Sequence, residues 1–449
     1  MALLTVTGNK DNVLNALRNA IEAFDEDNPV VRQKMNESLS PVDEGDRQNS
    51  RRQILGYLRD SFADVNQEED PPGSTWFASR MPLGGAAQSA MNNASQSEVV
   101  VAAAGVGAAR GALAPAPFQQ FSTLDPGWIE CLIDSWKTAL TGKAPFVQHV
   151  NISDFVVAIP AQCKIALVGD WGGHNATAAK VAAVIRAAHP DICVHLGDIY
   201  YAGQKNEAQE FLKSWPMADP TTMAIPNGTS FALNGNHEMF SGAHAYFDVV
   251  LPAFGQPASY FGLQNDQWQL LGFDTAYQDH RLTPPGDPGK DPRLASQWNW
   301  LVDKFKNSGG RATLFLSHHQ PVSAFAAEQG AAMNLRADVA KFFAAAGARP
   351  YGWFFGHEHK CTIYDDSSPQ IGFNARLIGN GCIPHAAPPT DQRPEDGCVP
   401  FTLMNTATND NGDAMSGFAL LAFDGPTLTI QYINEDGSTF FTEQWSHSA

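Results

Sequence analysis

Five short segments of this 449-residue chain carry potential metal ligands. Carboxylate, phenolate, amide and imidazole groups in one set suit a pair of divalent or trivalent cations, with one carboxylate bridging both. Such a pair can activate water and neutralise developing negative charge. The segments are GDWGG at 169–173, GDIYY at 197–201, GNHE at 235–238, SHHQP at 317–321 and GHEH at 356–359. The candidate ligands are Asp170, Asp198, Tyr201, Asn236, His319, His357 and His359.

A single Gly-Asp or Gly-His pair has a simpler explanation, because such pairs are common in turns at strand ends. Five segments in this order, with matching ligand types, favour the metal centre. Within it, Asp198 is the carboxylate that we expect to bridge the two ions. His357 and His359 are two positions apart, so they reach different ions only if the chain turns sharply after Gly356.

Each segment follows an apolar run that predicts a buried β-strand. The five runs are KIALVGD, DICVHLGD, TSFALNGN, TLFLSHH and GWFFGHE. Helical patterns lie between them at 176–189, 204–214, 294–307 and 335–347. In open α/β sheets the functional loops gather beyond the carboxyl ends of the strands, so these distant segments are expected to converge.

The expected fold class is α/β, with two facing mixed β-sheets flanked by helices and a helical N-terminal extension. Residues 259–274 predict a hairpin that turns at Asn265-Asp266, and the C-terminal stretch predicts two or three antiparallel strands with Asp-Gly turns. We divide the chain into a helical region at 1–80, an Ala/Gly/Ser-rich linker at 81–120 and a motif-bearing domain at 121–449. A partly buried helical hairpin is the alternative to the linker.

Composition restricts the partners that we expect. The formal charge of −18 argues against nucleic acid, although bound cations could still attract a small phosphate ester. Six cysteines without a CxxC pair indicate neither a disulfide scaffold nor a zinc site. Neither a signal peptide nor the ~20-residue apolar stretch of a membrane span is recognised, so a cytoplasmic location is expected. The oligomeric state stays open.

The motif set resembles the calcineurin-like metallophosphoesterases, and within them the purple acid phosphatases. The pattern of that group, GDxG, GDxxY, GNH[DE], HxP and GHxH, is present here. The wider superfamily has a histidine ligand two residues after its first aspartate, where this chain has Gly172. Tyr201 stands three residues after Asp198, where the purple acid phosphatases place a tyrosinate. The missing histidine ligand and the tyrosine at 201 together favour the purple acid phosphatases within the superfamily.

The resemblance implies a position for each ligand. Asp170, Tyr201 and His359 would hold Fe³⁺, and Asp198 would bridge to the second ion. Asn236, His319 and His357 would hold that ion, which would be Fe²⁺, Zn²⁺ or Mn²⁺. The His-x-Pro spacing selects His319 over its neighbour His318.

The catalytic candidates beside the ligands are His237, Glu238 and His318. His237 could orient the phosphate or donate a proton, or it could only tether its own loop, and Glu238 has the same two interpretations. Met239 and Gln329 replace two histidines of the tartrate-resistant branch, which leaves the general acid open. The possible replacements are His174 and His244.

The implied activity is hydrolysis of phosphomonoesters by attack of a metal-bound hydroxide on phosphorus. One alternative is a phosphodiesterase or nucleotide hydrolase that uses the same ions. Another is a partner-binding or effector protein in which the phosphoesterase core serves as a scaffold. The sequence does not decide between monoester and diester substrates.

Overall fold

The computed structural model describes residues 5–6, 76–77, 138, 142–287 and 291–447 of the chain. The helices and the linker expected in the N-terminal region lie outside these residues. The five ligand-bearing segments lie within them.

By its internal contacts the chain divides into two compact units. One comprises residues 1–143 with 240–242, and the other holds the rest of the chain. The described part of the first unit includes a two-stranded antiparallel sheet, in which strand β1 (Thr5–Val6) pairs with β2 (Trp76–Phe77). All five motifs belong to the second unit.

The second unit is built from strands β3 to β16 and six described α-helices. The strands are β3 Val156–Ala158, β4 Gln162–Val168, β5 Ile192–His195, β6 Ser230–Ala232, β7 Phe261–Gln264, β8 Trp268–Gly272, β9 Ala312–Ser317, β10 Gly352–Phe355, β11 Cys361–Tyr364, β12 Asn374–Ile378, β13 Phe401–Met404, β14 Gly417–Asp424, β15 Thr427–Asn434 and β16 Thr439–Ser446. The helices are α1 Ala176–Ala188, α2 Lys205–Ser214, α3 Asn236–Phe240, α4 Leu251–Phe254, α5 Leu294–Lys306 and α6 Ala326–Ala346, with a π-helical turn at Tyr246–Val250.

Two mixed sheets are formed by these strands. The six-stranded sheet has the order β16-β15-β14-β4-β5-β6, with β4, β5 and β6 parallel and β14 to β16 antiparallel. The eight-stranded sheet has the order β13-β11-β12-β10-β9-β8-β7-β3, in which β8, β9, β10 and β12 run parallel. Because the ligand-bearing strands are parallel within each sheet, their carboxyl ends meet at one edge.

The core lies between the inner faces of the two sheets. Leu167 and Val194 of the six-stranded sheet belong to the same buried apolar cluster as Leu263, Leu314 and Phe354 of the eight-stranded sheet. Burial on both faces explains why the motif strands have continuous apolar runs rather than alternating ones. The predicted α/β fold with two mixed sheets flanked by helices is confirmed.

The hairpin predicted at 259–274 is also confirmed, because β7 and β8 pair antiparallel around Asn265. The Asn265 side chain caps the turn, with its Oδ1 accepting hydrogen bonds from the backbone amides of Gln267 and Trp268 at 2.9 and 2.8 Å. The three C-terminal strands turn at Asp424-Gly425 and Asp436-Gly437, as the Asp-Gly pairs predict.

One helix boundary differs clearly from the prediction. Helix α6 was expected over 335–347, but it begins nine residues earlier, at Ala326. The added turns contain Gly330 and several alanines, so they lack the apolar periodicity that marks a helix. Alanine has the highest helix propensity, and the Glu395 carboxylate accepts a 2.6 Å hydrogen bond from the first amide, that of Ala326.

The five cysteines in the described ranges are all unpaired. Four of them are buried, and the cysteines in these ranges form no disulfide scaffold. Within the described ranges, the structure contains no helix with both the length and the apolar character of a membrane span.

Candidate metal centre

The predicted ligand segments begin where parallel strands of the two sheets end. Asp170 follows β4 and Asp198 follows β5, while Asn236 opens the short helix α3 after β6. The histidine pair comes directly after β9, and the GHEH segment comes directly after β10. The polar side chains of these segments therefore lie at the carboxyl ends of the parallel strands in both sheets.

One group of potential ligands contains Asp170, Asp198 and His359. A ligand atom from each residue lies within 4.8 Å of the other two, which is close enough to hold one cation. The Tyr200 hydroxyl joins this group, because it lies 3.2 Å from Asp170 Oδ1, 3.2 Å from Asp198 Oδ2 and 3.1 Å from His359 Nε2. The group thus combines two carboxylates, a phenol and an imidazole.

The tyrosine in this group is Tyr200, whereas the motif predicted Tyr201. Gly197 and Asp198 both have positive φ angles, of 106° and 77°, so the chain turns sharply before the two tyrosines. Because of this turn, the phenol that points back toward the Asp198 carboxylate belongs to Tyr200, two residues after Asp198. Tyr201 instead fixes the loop through its backbone, which donates to Glu207 and accepts from His237 Nδ1, each at 2.6 Å.

A second group contains Asp198, His318 and His357, whose ligand atoms also lie within 4.8 Å of one another. Asn236 belongs with them, since its Oδ1 lies 2.9 Å from both His318 Nε2 and His357 Nδ1. His318 Nε2 is 3.3 Å from Asp198 Oδ1. Asp198 is therefore shared between the two groups, as a bridging ligand must be.

The histidine in this second group is His318, whereas the His-x-Pro spacing predicted His319. His318 Nδ1 donates to the backbone carbonyl of Leu196 at 3.0 Å, which aims the ring at the loop that carries Asp198. His319 lies on the other side of the chain, with Nδ1 3.1 Å from Thr275 Oγ1. Neighbouring residues at a strand end point in opposite directions, so only one of His318 and His319 can belong to this second group.

Three residues of the centre have a left-handed backbone. Asp170, Asp198 and His357 have φ angles of 57°, 77° and 73°, a region that non-glycine residues rarely adopt. The turn at His357 separates the two histidines of its segment, so that His357 reaches Asn236 while His359 reaches Tyr200. Strained backbone of this kind is concentrated at functional sites.

Glycines allow the loops to approach one another. A Cβ atom on Gly356 would lie 2.5 Å from Asp170 Oδ2, and one on Gly235 would overlap Asp198 Oδ1. A Cβ on Gly172 would overlap the Cα atom of Ile199, in the segment that leads to the tyrosines. No side chain fits at position 172, which is where the wider superfamily has its histidine.

The two buried carboxylates oppose each other electrostatically. Burial and the neighbouring Asp198 raise the pKa of Asp170 well above its usual value. Burial alone would also raise the pKa of Asp198, but the His318 and His237 imidazoles lower it below its usual value. Both carboxylates ionise together only when positive charge lies between them. The donor set therefore fits a pair of cations.

The histidines of the second group are available as ligands. Burial lowers the pKa of His318, and burial and the facing imidazoles lower that of His357 well below its usual value. Both rings are therefore neutral near pH 7 and offer a lone pair to a cation.

Glu238 and His237 hold the loops of the centre in place. The Glu238 carboxylate accepts hydrogen bonds from the amides of Asp198, Ile199 and Gly235 at 3.0–3.2 Å. Burial and the charge of Asp198 raise its pKa to about 8. The His237 amide donates to Asp198 Oδ1 at 3.1 Å, and its Nε2 lies 3.8 Å from Asp198 Oδ2. His174 and His244, the other candidates, are exposed.

The motif analysis missed Tyr200 and His280. His280 is 7% exposed and packs on His319, with ring centroids 3.6 Å apart, and on His357, at 5.0 Å. It lies in the loop after β8, which is the parallel neighbour of β9. This loop also follows the carboxyl end of a parallel strand, as the other ligand segments do. The sequence pattern indicates β8 only as one strand of a hairpin, so the loop gives no signal of its own.

Comparison with known proteins agrees with this geometry. Residues 163–361 match the family model of the calcineurin-like phosphoesterases. That part of the chain spans all five motifs. The match supports a calcineurin-like metallophosphoesterase domain, and proteins of this class are metal-dependent phosphoesterases. No curated protein matches the chain significantly.

Among solved structures, three similar ones share only low sequence identity with this chain. GAP50, the anchor in the inner membrane complex of Plasmodium, is 11% identical, with 64% of this chain and 90% of that chain covered and a TM-score of 0.48. PhoD is 12% identical, with 65% and 71% covered and a TM-score of 0.42. The phosphoesterase Yfce from E. coli is 12% identical, with 64% and 100% covered and a TM-score of 0.29.

The close approach at Gly235 gives a direct test of the centre. We expect Gly235→Ala to displace Asp198, to abolish binding of both metal ions and to lower stability by about 1–3 kcal/mol through overpacking. Metal content of the purified variant and its urea denaturation curve measure the two effects.

Gly262→Ala is the matched control, because neither glycine is in the left-handed region. Gly262 is a buried glycine of β7 whose added Cβ would lie 3.3 Å from a Val156 side chain that can shift. This variant should keep the wild-type metal content. Equal metal content in the Gly235→Ala protein would refute the packing argument.

Proposed function

We propose that this protein is a metal-dependent hydrolase of phosphate monoesters, of the purple acid phosphatase type. The observation that carries the proposal is the pair of overlapping ligand groups. One contains Asp170, Asp198 and His359, the other contains Asp198, His318 and His357, and they share one carboxylate. Two ions held in this way would lie side by side, which suits phosphoryl transfer to water.

The two groups favour different ions. Two carboxylates and the Tyr200 phenol form a hard, negatively charged set, which favours Fe³⁺. Two imidazoles and the Asn236 amide oxygen form a set richer in nitrogen, which favours Fe²⁺, Zn²⁺ or Mn²⁺. When bound, the ions supply an activated water and neutralise the phosphoryl oxygens.

The chain's own groups prepare the centre for that chemistry. Glu238 holds the Asp198 and Gly235 loops together, so its role is positioning. His237 is anchored through Nδ1 at the Tyr201 carbonyl, and its Nε2 faces the carboxylate of Asp198. We assign His237 to contact the phosphoryl group of the substrate, because its ring is buried beside the shared ligand. Since Nδ1–H donates to the Tyr201 carbonyl, Nε2 donates to a phosphoryl oxygen only when the ring is an imidazolium.

The first test compares two esters. We expect the metal-loaded protein to hydrolyse p-nitrophenyl phosphate faster than bis(p-nitrophenyl) phosphate, measured by release of nitrophenol. Asp198→Asn should lower turnover by more than about 100-fold, the upper range for loss of an outer-shell partner, because Asp198 is a shared ligand. Circular dichroism of that variant checks that its fold is kept.

Faster hydrolysis of the diester would instead assign the centre to a phosphodiesterase. Turnover of neither ester by protein that holds both ions would favour a scaffold for partner binding.

The second test separates the two tyrosines. A phenolate bound to Fe³⁺ gives a visible charge-transfer band, so iron-loaded protein should be coloured. Tyr200→Phe should remove the band while the protein stays folded, and Tyr201→Phe is the matched control that should keep it. A band that survives in Tyr200→Phe but disappears in Tyr201→Phe would return the ligand to Tyr201. A colourless protein with a full complement of iron would exclude a tyrosinate.

A further inference from the structure

Beside the centre lies a second cluster of potential ligands, formed by His280, His319 and His357. One ligand atom from each lies within 4.8 Å of the other two. The rings are in contact, with centroids 3.6 Å apart for His280 and His319 and 4.7 Å apart for His319 and His357. We call these three residues the histidine cluster.

Two rings of the histidine cluster are held in the manner of metal ligands. His319 Nδ1 is 3.1 Å from Thr275 Oγ1, and His280 Nδ1 is 2.9 Å from Asp279 Oδ1. Ligating histidines typically bind the metal through one nitrogen while an oxygen atom holds the other. In both rings this pattern leaves Nε2 as the ligand atom.

Neither of these Nε2 atoms has a hydrogen-bond partner among the described residues, although both are buried. A buried polar atom left unsatisfied is unfavourable, so two of them side by side need an explanation. Neutral imidazoles present lone pairs, which attract a cation and repel an anion. A cation that binds both atoms would satisfy them.

The third ring and a carboxylate complete the surroundings. His357 Nδ1 faces Asn236, which leaves His357 Nε2 for the histidine cluster. That Nε2 is 3.8 Å from Oε2 of Glu328, a residue 7% exposed in the first turn of α6. Glu328 also accepts a 3.4 Å hydrogen bond from Gln320. A carboxylate therefore lies beside the third ring of the histidine cluster.

We propose that the histidine cluster binds a third divalent transition-metal ion, distinct from the two ions of the proposed centre, with the Glu328 carboxylate beside it. Three imidazoles favour Zn²⁺ or a similar borderline ion in a tetrahedral site whose fourth position is open. The ion would connect the loop after β8 to the ends of β9 and β10. His357 would bind through both nitrogens as an imidazolate, with its N–H proton released to solvent, and so couple this site to the proposed centre.

The test counts ions in the full-length protein. After loading with Zn²⁺ and removal of unbound metal, elemental analysis should find three ions per wild-type chain and two in His280→Gln. His385→Gln is the matched control, because His385 Nδ1 is also held, by the Ile383 carbonyl, while its Nε2 is unpaired among the described residues. It belongs to none of the ligand groups found there, so this variant should keep three ions.

A second variant keeps all three imidazole rings of the histidine cluster. Thr275→Val removes the oxygen that holds His319 and should weaken binding of the third ion by about 10–100-fold, measured by competition with a zinc chelator. Loading with Co²⁺ gives an independent readout, because a tetrahedral Co²⁺ site absorbs strongly in the visible range. That absorption should be lost in His280→Gln.

The outcomes separate this proposal from the proposed function. Two ions in both the wild type and His280→Gln would overturn the third site, and so would three ions in both. Asp198→Asn should keep the ion of the histidine cluster, and the double variant Asp198→Asn/His280→Gln should lose it. A protein that holds three ions but hydrolyses neither ester would refute the proposed function and leave the third site standing.

Discussion

The mutual repulsion of two buried carboxylates governs this structure. Asp170 and Asp198 both reach the Tyr200 hydroxyl, and both are shielded from water. In a low-dielectric interior two negative charges at this separation are strongly unfavourable. Burial and the charge of Asp198 raise the pKa of Asp170, while neighbouring imidazoles lower that of Asp198. A proton on Asp170 or a bound cation relieves the repulsion, and the imidazole, phenol and amide groups around the two carboxylates suit a cation.

The two sheets meet that requirement by distributing the ligands over five strand ends. Hydrogen bonds accepted by the Glu238 carboxylate and donated by the His318 ring connect these loops, so the ligand positions depend on contacts between loops. Left-handed residues and glycines bring the backbones closer than ordinary turns allow. Since this geometry is unfavourable for the chain alone, the well-packed core beneath it must hold it in place.

Much of this architecture could be predicted from the sequence. Continuous apolar runs identified the buried strands, and the glycine that precedes most of the ligands marked where each strand ends. The predicted set of Asp170, Asp198, Asn236, His357 and His359 comes together in the structure. The early start of α6 could not be predicted, because alanine-rich turns carry no apolar period.

Two positions differ by a single residue. The motif spacings pointed to Tyr201 and His319, whereas the structure places Tyr200 and His318 in the two ligand groups. Spacing along a sequence counts residues, but the direction of a side chain depends on where the backbone turns. His280 was missed for a different reason, since a lone histidine in a loop gives no pattern until its neighbours in space are known.

The contact between Gly172 and Ile199 also restricts which ligands the centre can use. The loop that brings tyrosine to the first group occupies the volume that a side chain at 172 would need. A histidine at 172 would overlap this backbone, so it fits only after the loop that carries the tyrosines has moved. A ligand at position 172 and a ligand at position 200 are therefore mutually exclusive in this fold.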